Sequence, residues 1–196
     1  MESPTQPRPA ATVILLRGGA DILEVLLVKR NPQARFMGGV WVFPGGSVDR
    51  EEGDGEKAYR AAALRELHEE AGIALEDPEA LVKFSRWITP AEVKTRFDTH
   101  FYLAPTPEGQ EPRVDGEECV DLGWFAPAAA LESHRAGEIA LVFPTIKHLQ
   151  QLATHATTDE LLAYARARER TVEPVLPRVV VEDDAARVLL PGEPGY

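Results

Sequence analysis

The sequence predicts an α/β or α+β single domain, a mixed β-sheet sandwiched between helices. Three observations point there. The chain has 196 residues, 44% of them hydrophobic, enough to bury one real core. Strand patterns fill its first two thirds. They are interrupted by one early helix and followed by several late ones. The formal net charge of −11 argues against a nucleic-acid scaffold, which would present a basic stripe. No apolar run approaches the ~18 residues a membrane span needs, and Met1-Glu2 leads into Pro4, Pro7 and Pro9 rather than a secretory signal. Cys119 is the sole cysteine, which excludes an intrachain disulfide and a cysteine-built zinc cage. A reducing cytoplasm is the expected compartment.

The elements follow in order. Residues 1–9 read as a flexible arm, residues 10–171 as the folded domain and residues 172–196 as a Pro-rich tail. Ala11–Leu16 and Ile22–Val28 flank Gly18-Gly19 and Asp21, the pattern of a hairpin. Val40–Phe43 is a short strand stopped by Pro44-Gly45-Gly46, and the acidic, Gly-broken stretch 47–56 is a surface loop. Lys57–Ala71 is Ala-rich and ends at Gly72, a helix with its stop signal. Leu81–Phe84, Arg96–Leu103 and Val120–Phe125 are further strands, with a Pro/Gly/Glu loop from Pro105 to Gly116. Helices are expected over Ala128–Arg135, Pro144–His155 and Thr158–Arg170, the last capped by Thr157, Thr158 or Asp159.

The chemistry sits in Arg65-Glu66-Leu67-His68-Glu69-Glu70-Ala71-Gly72-Ile73. On a helix, Glu66, Glu69 and Glu70 stand at i, i+3 and i+4 and share a face. Each close like-charge pair costs roughly 0.2–0.5 kcal/mol. Anions in the last turn also oppose the helix dipole, by ~0.3–1 kcal/mol. A divalent cation resolves that conflict, and clustered hard oxygens are what Mg²⁺ or Mn²⁺ takes. Arg65 reaches Glu69 at i+4. A solvated acidic face accounts for the three glutamates alone equally well. The preceding Phe43-Pro44-Gly45-Gly46 tips the balance, because a glycine pair lets backbone approach a metal or phosphate and frees a carbonyl as a ligand.

These segments resemble the Nudix hydrolase family. Arg65 through Ile73 fills every position of the second half of the family's box, and Phe43–Gly46 matches its opening. Gly46 and Arg65 stand five positions further apart than in the family pattern, within the loop around Arg50–Gly55. This leaves the early box glutamate open between Glu52 and Glu56. Upstream, Leu26–Arg30, Arg35 and Gly39 follow the spacing of a motif in Nudix coenzyme A diphosphatases, with departures at Val28 and Asn31. Trp87–Pro90 and Arg96–Thr99 look like the acyl-CoA diphosphatase subgroup, whose box is likewise lengthened.

The resemblance implies a Nudix-type α/β/α sandwich and metal-dependent hydrolysis of a nucleoside diphosphate linked to another moiety. The small-molecule nucleotide expected is CoA or acyl-CoA; ADP-ribose, a nucleotide sugar or a dinucleoside polyphosphate is the enzymatic alternative, and a non-catalytic nucleotide-binding module the other. It implies Glu66, Glu69, Glu70 and the Gly45 carbonyl as Mg²⁺ or Mn²⁺ ligands. Glu69, Arg65 and Glu118 are implied as catalytic, with Glu118, and Glu117 behind it, as base candidates. Arg30, Arg35 and Gly46 are the substrate contacts, although Arg30 and Arg35 would equally suit salt bridges to the acidic loop. Trp41 and Phe43 are read as alternating across their strand, one core and one pocket. Trp87, Phe101 and Tyr102 are read as core, His68 as solvated, and Cys119 as a buried strand residue. The C-terminal helices offer an interface for a homodimer, as is frequent in the family.

Overall fold

Residues 5–34, 37–182 and 185–196 are described by the computed structural model. Arg35, assigned above to substrate, lies outside them. Among the described residues, ten strands and four α-helices follow one another as β1 (Arg8–Arg17), β2 (Glu24–Arg30), β3 (Trp41–Val42), β4 (Gly45–Ser47), α1 (Glu56–Ala71), β5 (Val82–Ile88), β6 (Phe97–Pro105), β7 (Cys119–Phe125), α2 (Pro127–Arg135), α3 (Phe143–Leu152), α4 (Thr158–Arg168), β8 (Pro174–Val175), β9 (Arg178–Glu182) and β10 (Ala185–Leu189).

The alternation along β1 explains the layers. Ala11, Val13 and Leu15 point to one face, where they meet Ala62, Ala63, Leu67 and Ala71 of α1. Ile14 and Leu16 point to the other, into a core with Leu149 and Leu152 of α3 and Leu161 and Ala165 of α4. Alanines on the buried side of α1 let that helix lie close to the sheet. Gly72 closes α1 in the left-handed region (φ 66°), with its N–H on the His68 carbonyl.

The sheet is mixed and forked. β1 runs parallel to β6 over its whole length, Arg8 opposite Phe97 through Leu16 opposite Pro105. On its other edge it pairs with β2 only at Leu16–Val25 and Arg17–Glu24. The hairpin then opens. β2 is held instead by β7, Val25 opposite Phe125 to Arg30 opposite Cys119, and by β3. The edge that β1 loses is taken by β4, with Thr12 opposite Gly45. Phe43-Pro44 therefore crosses from one prong of the fork to the other.

The extent of the arm and the faces of Trp41 and Phe43 differ from expectation, and the Pro-rich tail takes a definite form. The arm shortens, because β6 offers a partner to Arg8 and Pro9 and Arg96 donates to the Thr5 carbonyl. The tail is structured: β8 extends the sheet beside β5, and β9 and β10 form a hairpin. Trp41 and Phe43 do not alternate, since positions two apart share a face of the pleat. Both join the α2–α4 core, where Trp41 packs edge-on to Phe125 at 5.5 Å.

His148 of α3 is packed inside that core against Phe101, with ring centroids 4.1 Å apart. The Pro144 carbonyl, 2.7 Å from its Nδ1, can only accept. Nδ1 therefore carries the proton, and Nε2 accepts from the Ser85 hydroxyl at 2.6 Å. Burial pulls its pKa down to about 4, so the unfolded chain takes up this proton before the folded one does. Its stabilising contribution is complete above pH ~6.5 and is lost as pH falls toward 4, at ~1.4 kcal/mol per pH unit. Urea unfolding between pH 7.5 and 4.5 should show wild type losing about 2–3 kcal/mol more than His148→Asn; parallel curves would contradict it.

Candidate active site

The mouth of the fork opens into a cavity of about 430 Å³, within the usual range for small-ligand sites. One wall is acidic: Glu66 and Glu70 from α1, Asp49 from the loop between β4 and α1, and Glu118 from the segment before β7. The opposite wall is apolar: Phe43, Phe97, Phe101, Val42 and Val142, with Met37. Arg30 closes one side.

Local structure fixes each part. Gly45 faces Thr12 at a position between the hydrogen-bonded pairs of β1 and β4, marked by Val13 N–H on the Pro44 carbonyl and Val48 N–H on the Pro9 carbonyl. Its own amide groups therefore point away from β1. The N–H donates to Glu70 Oε2 at 2.9 Å, and by the same register the carbonyl is left for the cavity. Gly46 lies against the Glu66 carboxylate so closely that any Cβ there would collide with it.

Glu70 is only 2% exposed. Burial pushes its pKa up to about 7, against the pull of the Gly45 N–H and with a further push from Glu66. Glu66 is raised as well, chiefly by burial and against Arg65. Arg30 Nη1 approaches Glu70 no closer than 3.7 Å. Arg30 Nε is buried without a partner among the described residues. Among these residues no three His, Cys, Asp or Glu side chains are gathered closely enough to hold a metal ion. The fit rests instead on chemistry: Glu70, buried and short of positive charge, stands beside the Glu66 carboxylate and the outward-turned Gly45 carbonyl, a hard-oxygen donor set suited to Mg²⁺ or Mn²⁺.

Arg65 organises the outer side of that set. It donates to Glu52 at 3.0 Å, Glu66 at 2.8 Å, Glu69 at 3.0 Å and the Ser47 carbonyl at 2.9 Å. Burial opposes its charge, but these acceptors push its pKa up. Glu69 is exposed, turned to Arg65, and does not line the cavity. The two candidates for the early glutamate separate. Glu52 folds back onto Arg65 and accepts the Asp49 N–H at 2.7 Å. Glu56 sits elsewhere, accepting from Tyr102 and Lys83 at 2.8 Å each, and although burial opposes it, these bonds and His100 lower its pKa to about 2.

Glu118, the base candidate named above, reaches the cavity from the loop before β7. Asp115 accepts the N–H groups of Glu118 and Cys119 at 2.8 and 2.9 Å. Asn31 donates its N–H to the Glu118 carbonyl and its side-chain amide to the Glu117 carbonyl, both at 2.8 Å. Asn31, a departure from the upstream motif, thus ties this loop to the end of β2. Glu117 does not line the cavity. Phe101, expected as core alone, faces the cavity as well. Cys119 is buried, and its thiol pKa is pushed up by burial and then by Glu70, which does not suit a nucleophile. His68 is exposed. Among the described residues no helix is long and apolar enough to cross a membrane.

The Caenorhabditis elegans protein designated nudix hydrolase 7 is 27% identical over 209 residues, covering 88% of this chain and 68% of that protein. Human acyl-coenzyme A diphosphatase NUDT19 is 33% identical over 120 residues, covering 60% of this chain but only 32% of the human protein. The crystal structure of a NUDIX hydrolase from Alicyclobacillus acidocaldarius superposes with a TM-score of 0.72 at 27% identity, covering 81% of this chain and 96% of that one. The NUDIX domain model matches residues 6–144, a span that holds both walls of the cavity from β1 to the start of α3, and the chain belongs to the Nudix hydrolase family.

Proposed function

We propose that this Nudix hydrolase splits the diphosphate of CoA or a short acyl-CoA, with water as the second reactant, giving 4′-phosphopantetheine (or its acyl form) and adenosine 3′,5′-bisphosphate. The observation that carries the reading is the position of Arg30. The arginine of the upstream motif stands on the same cavity wall as Glu70, with an unpartnered Nε. The similarity to NUDT19 supports the same substrate class.

Glu66, Glu70 and the Gly45 carbonyl would hold Mg²⁺ or Mn²⁺, and Glu69 would join them as a third carboxylate only by turning away from Arg65. Such a cation, when bound, neutralises charge on the diphosphate. Arg30 binds diphosphate oxygens as a planar donor. Glu118, fixed through Asp115 and Asn31, takes the proton of the attacking water. Arg65 holds Glu66 and Glu69 in place and acts as a positioning residue. The acidic wall by itself would repel the substrate, so cation and Arg30 are both required for binding.

Two tests follow. Saturating Mg²⁺ or Mn²⁺ should raise the melting temperature of the wild type by several degrees, because only the folded chain assembles the donor set. Glu66→Gln with Glu70→Gln should abolish that rise, and the double variant or EDTA should remove hydrolysis; an unchanged metal response in the double variant would place the cation elsewhere. In a product assay on CoA, acetyl-CoA, dephospho-CoA, ADP-ribose and a dinucleoside polyphosphate, the 3′-phosphorylated substrates should be preferred. Arg30→Ala should lower kcat/KM on every member of the panel by about tenfold or more, whereas Arg35→Ala should remove only the preference for CoA over dephospho-CoA. Preference for ADP-ribose would overturn the CoA reading and keep the box chemistry.

A further inference from the structure

The cavity has a second end that the diphosphate chemistry does not use. A hydrogen bond from Trp41 N–H to the Ala140 carbonyl (2.8 Å) fastens the 140–142 segment to β3, and this carries the start of α3 over the apolar wall. The cap residue there is Val142, which has no side-chain acceptor to offer, and Pro144 follows in the first turn without an N–H. Thr145 is 4% exposed and lines the cavity. Its amide, in the first turn, has no acceptor within the helix, and its hydroxyl bonds no described residue and stays open to the cavity. A polar side chain buried to that degree is ordinarily bonded. Two donors therefore meet in a mostly apolar space at the positive end of a ten-residue helix.

The charge balance decides what fits. Among the described lining residues the acids are Asp49, Glu66, Glu70 and Glu118, and the only cation is Arg30 beside Glu70. Among the described residues, a second phosphate entering this space would face four carboxylates with only Arg30, already beside Glu70, to offset them. A neutral chain bearing carbonyl acceptors meets no such penalty. It satisfies Thr145 and covers Phe97, Phe101 and Met37.

Resting on the CoA reading, we infer that the cavity between the acidic wall and the start of α3 receives the pantetheine arm of the substrate, with Thr145 donating to an amide carbonyl of that arm, while the 3′-phosphoadenosine half stays outside. Thr145 is thus a specificity-determining residue.

Met37 makes this testable without turnover. The chain contains two methionines, Met1 and Met37, and only Met37 lines the cavity among the described residues. In protein labelled with [methyl-¹³C]methionine, pantetheine should shift the Met37 resonance to saturation, and adenosine 3′,5′-bisphosphate should leave it in place. Thr145→Val should weaken pantetheine binding by about fivefold, the scale of one neutral hydrogen bond, and Thr145→Ser should restore it. Unchanged binding by Thr145→Val, or a Met37 shift with the bisphosphate and none with pantetheine, would overturn the inference. CoA cleavage without a pantetheine shift refutes this subsite alone. A pantetheine shift without CoA cleavage supports the subsite and refutes the reaction alone.

Discussion

Everything at the site depends on β1 losing β2. The two strands pair for two residues and then part, and a sheet edge left open in the interior must find other hydrogen bonds. The chain supplies them by sending Gly45–Ser47 along β1 and Trp41–Val42 along β2. Crossing between the prongs forces Gly45 to turn its amide groups outward, and it is this outward edge that meets Glu70. The cavity, the buried glutamates and the close approach of Gly46 all follow from one interrupted ladder.

Burial and charge are balanced differently on the two sides of α1. On the outer side Arg65 gathers Glu52, Glu66 and Glu69 into one network, so those charges are compensated within the protein. On the inner side Glu70 has one backbone donor and a distant arginine. Desolvation there outweighs the available partners. A helix selected for stability alone would not keep that carboxylate. It persists in a place where an external cation can complete it.

Much of this was legible in the residues, and most of the parts that were not depend on partners distant in sequence. The box glutamates, the glycine pair and the layer order come from local spacing: helical faces at i, i+3 and i+4 for Glu66, Glu69 and Glu70, and a terminal glycine for α1. The choice between Glu52 and Glu56 could not be made that way, because it depends on which one a loop folds back onto Arg65. Asp115, Asn31 and Thr145 escaped for the same reason. Each matters through a partner, or a missing partner, far away in sequence. The assignment of Trp41 and Phe43 to opposite faces failed on simple pleat geometry. The structured tail escaped because its prolines mask a short edge strand, β8, whose pairing is decided by β5.

The loop between β4 and α1 has one more consequence. Its folded end is Glu52, clamped to Arg65; beyond it Gly53 and Gly55, both at positive φ, return the chain to α1 around Asp54. Closure at Arg65 fixes where the loop departs and rejoins the helix, so residues added between those points bulge into solvent. Lengthening such a bulge costs only slowly growing closure entropy. A reach of chain inside the most constrained part of the molecule can therefore change length at little cost to the site beside it.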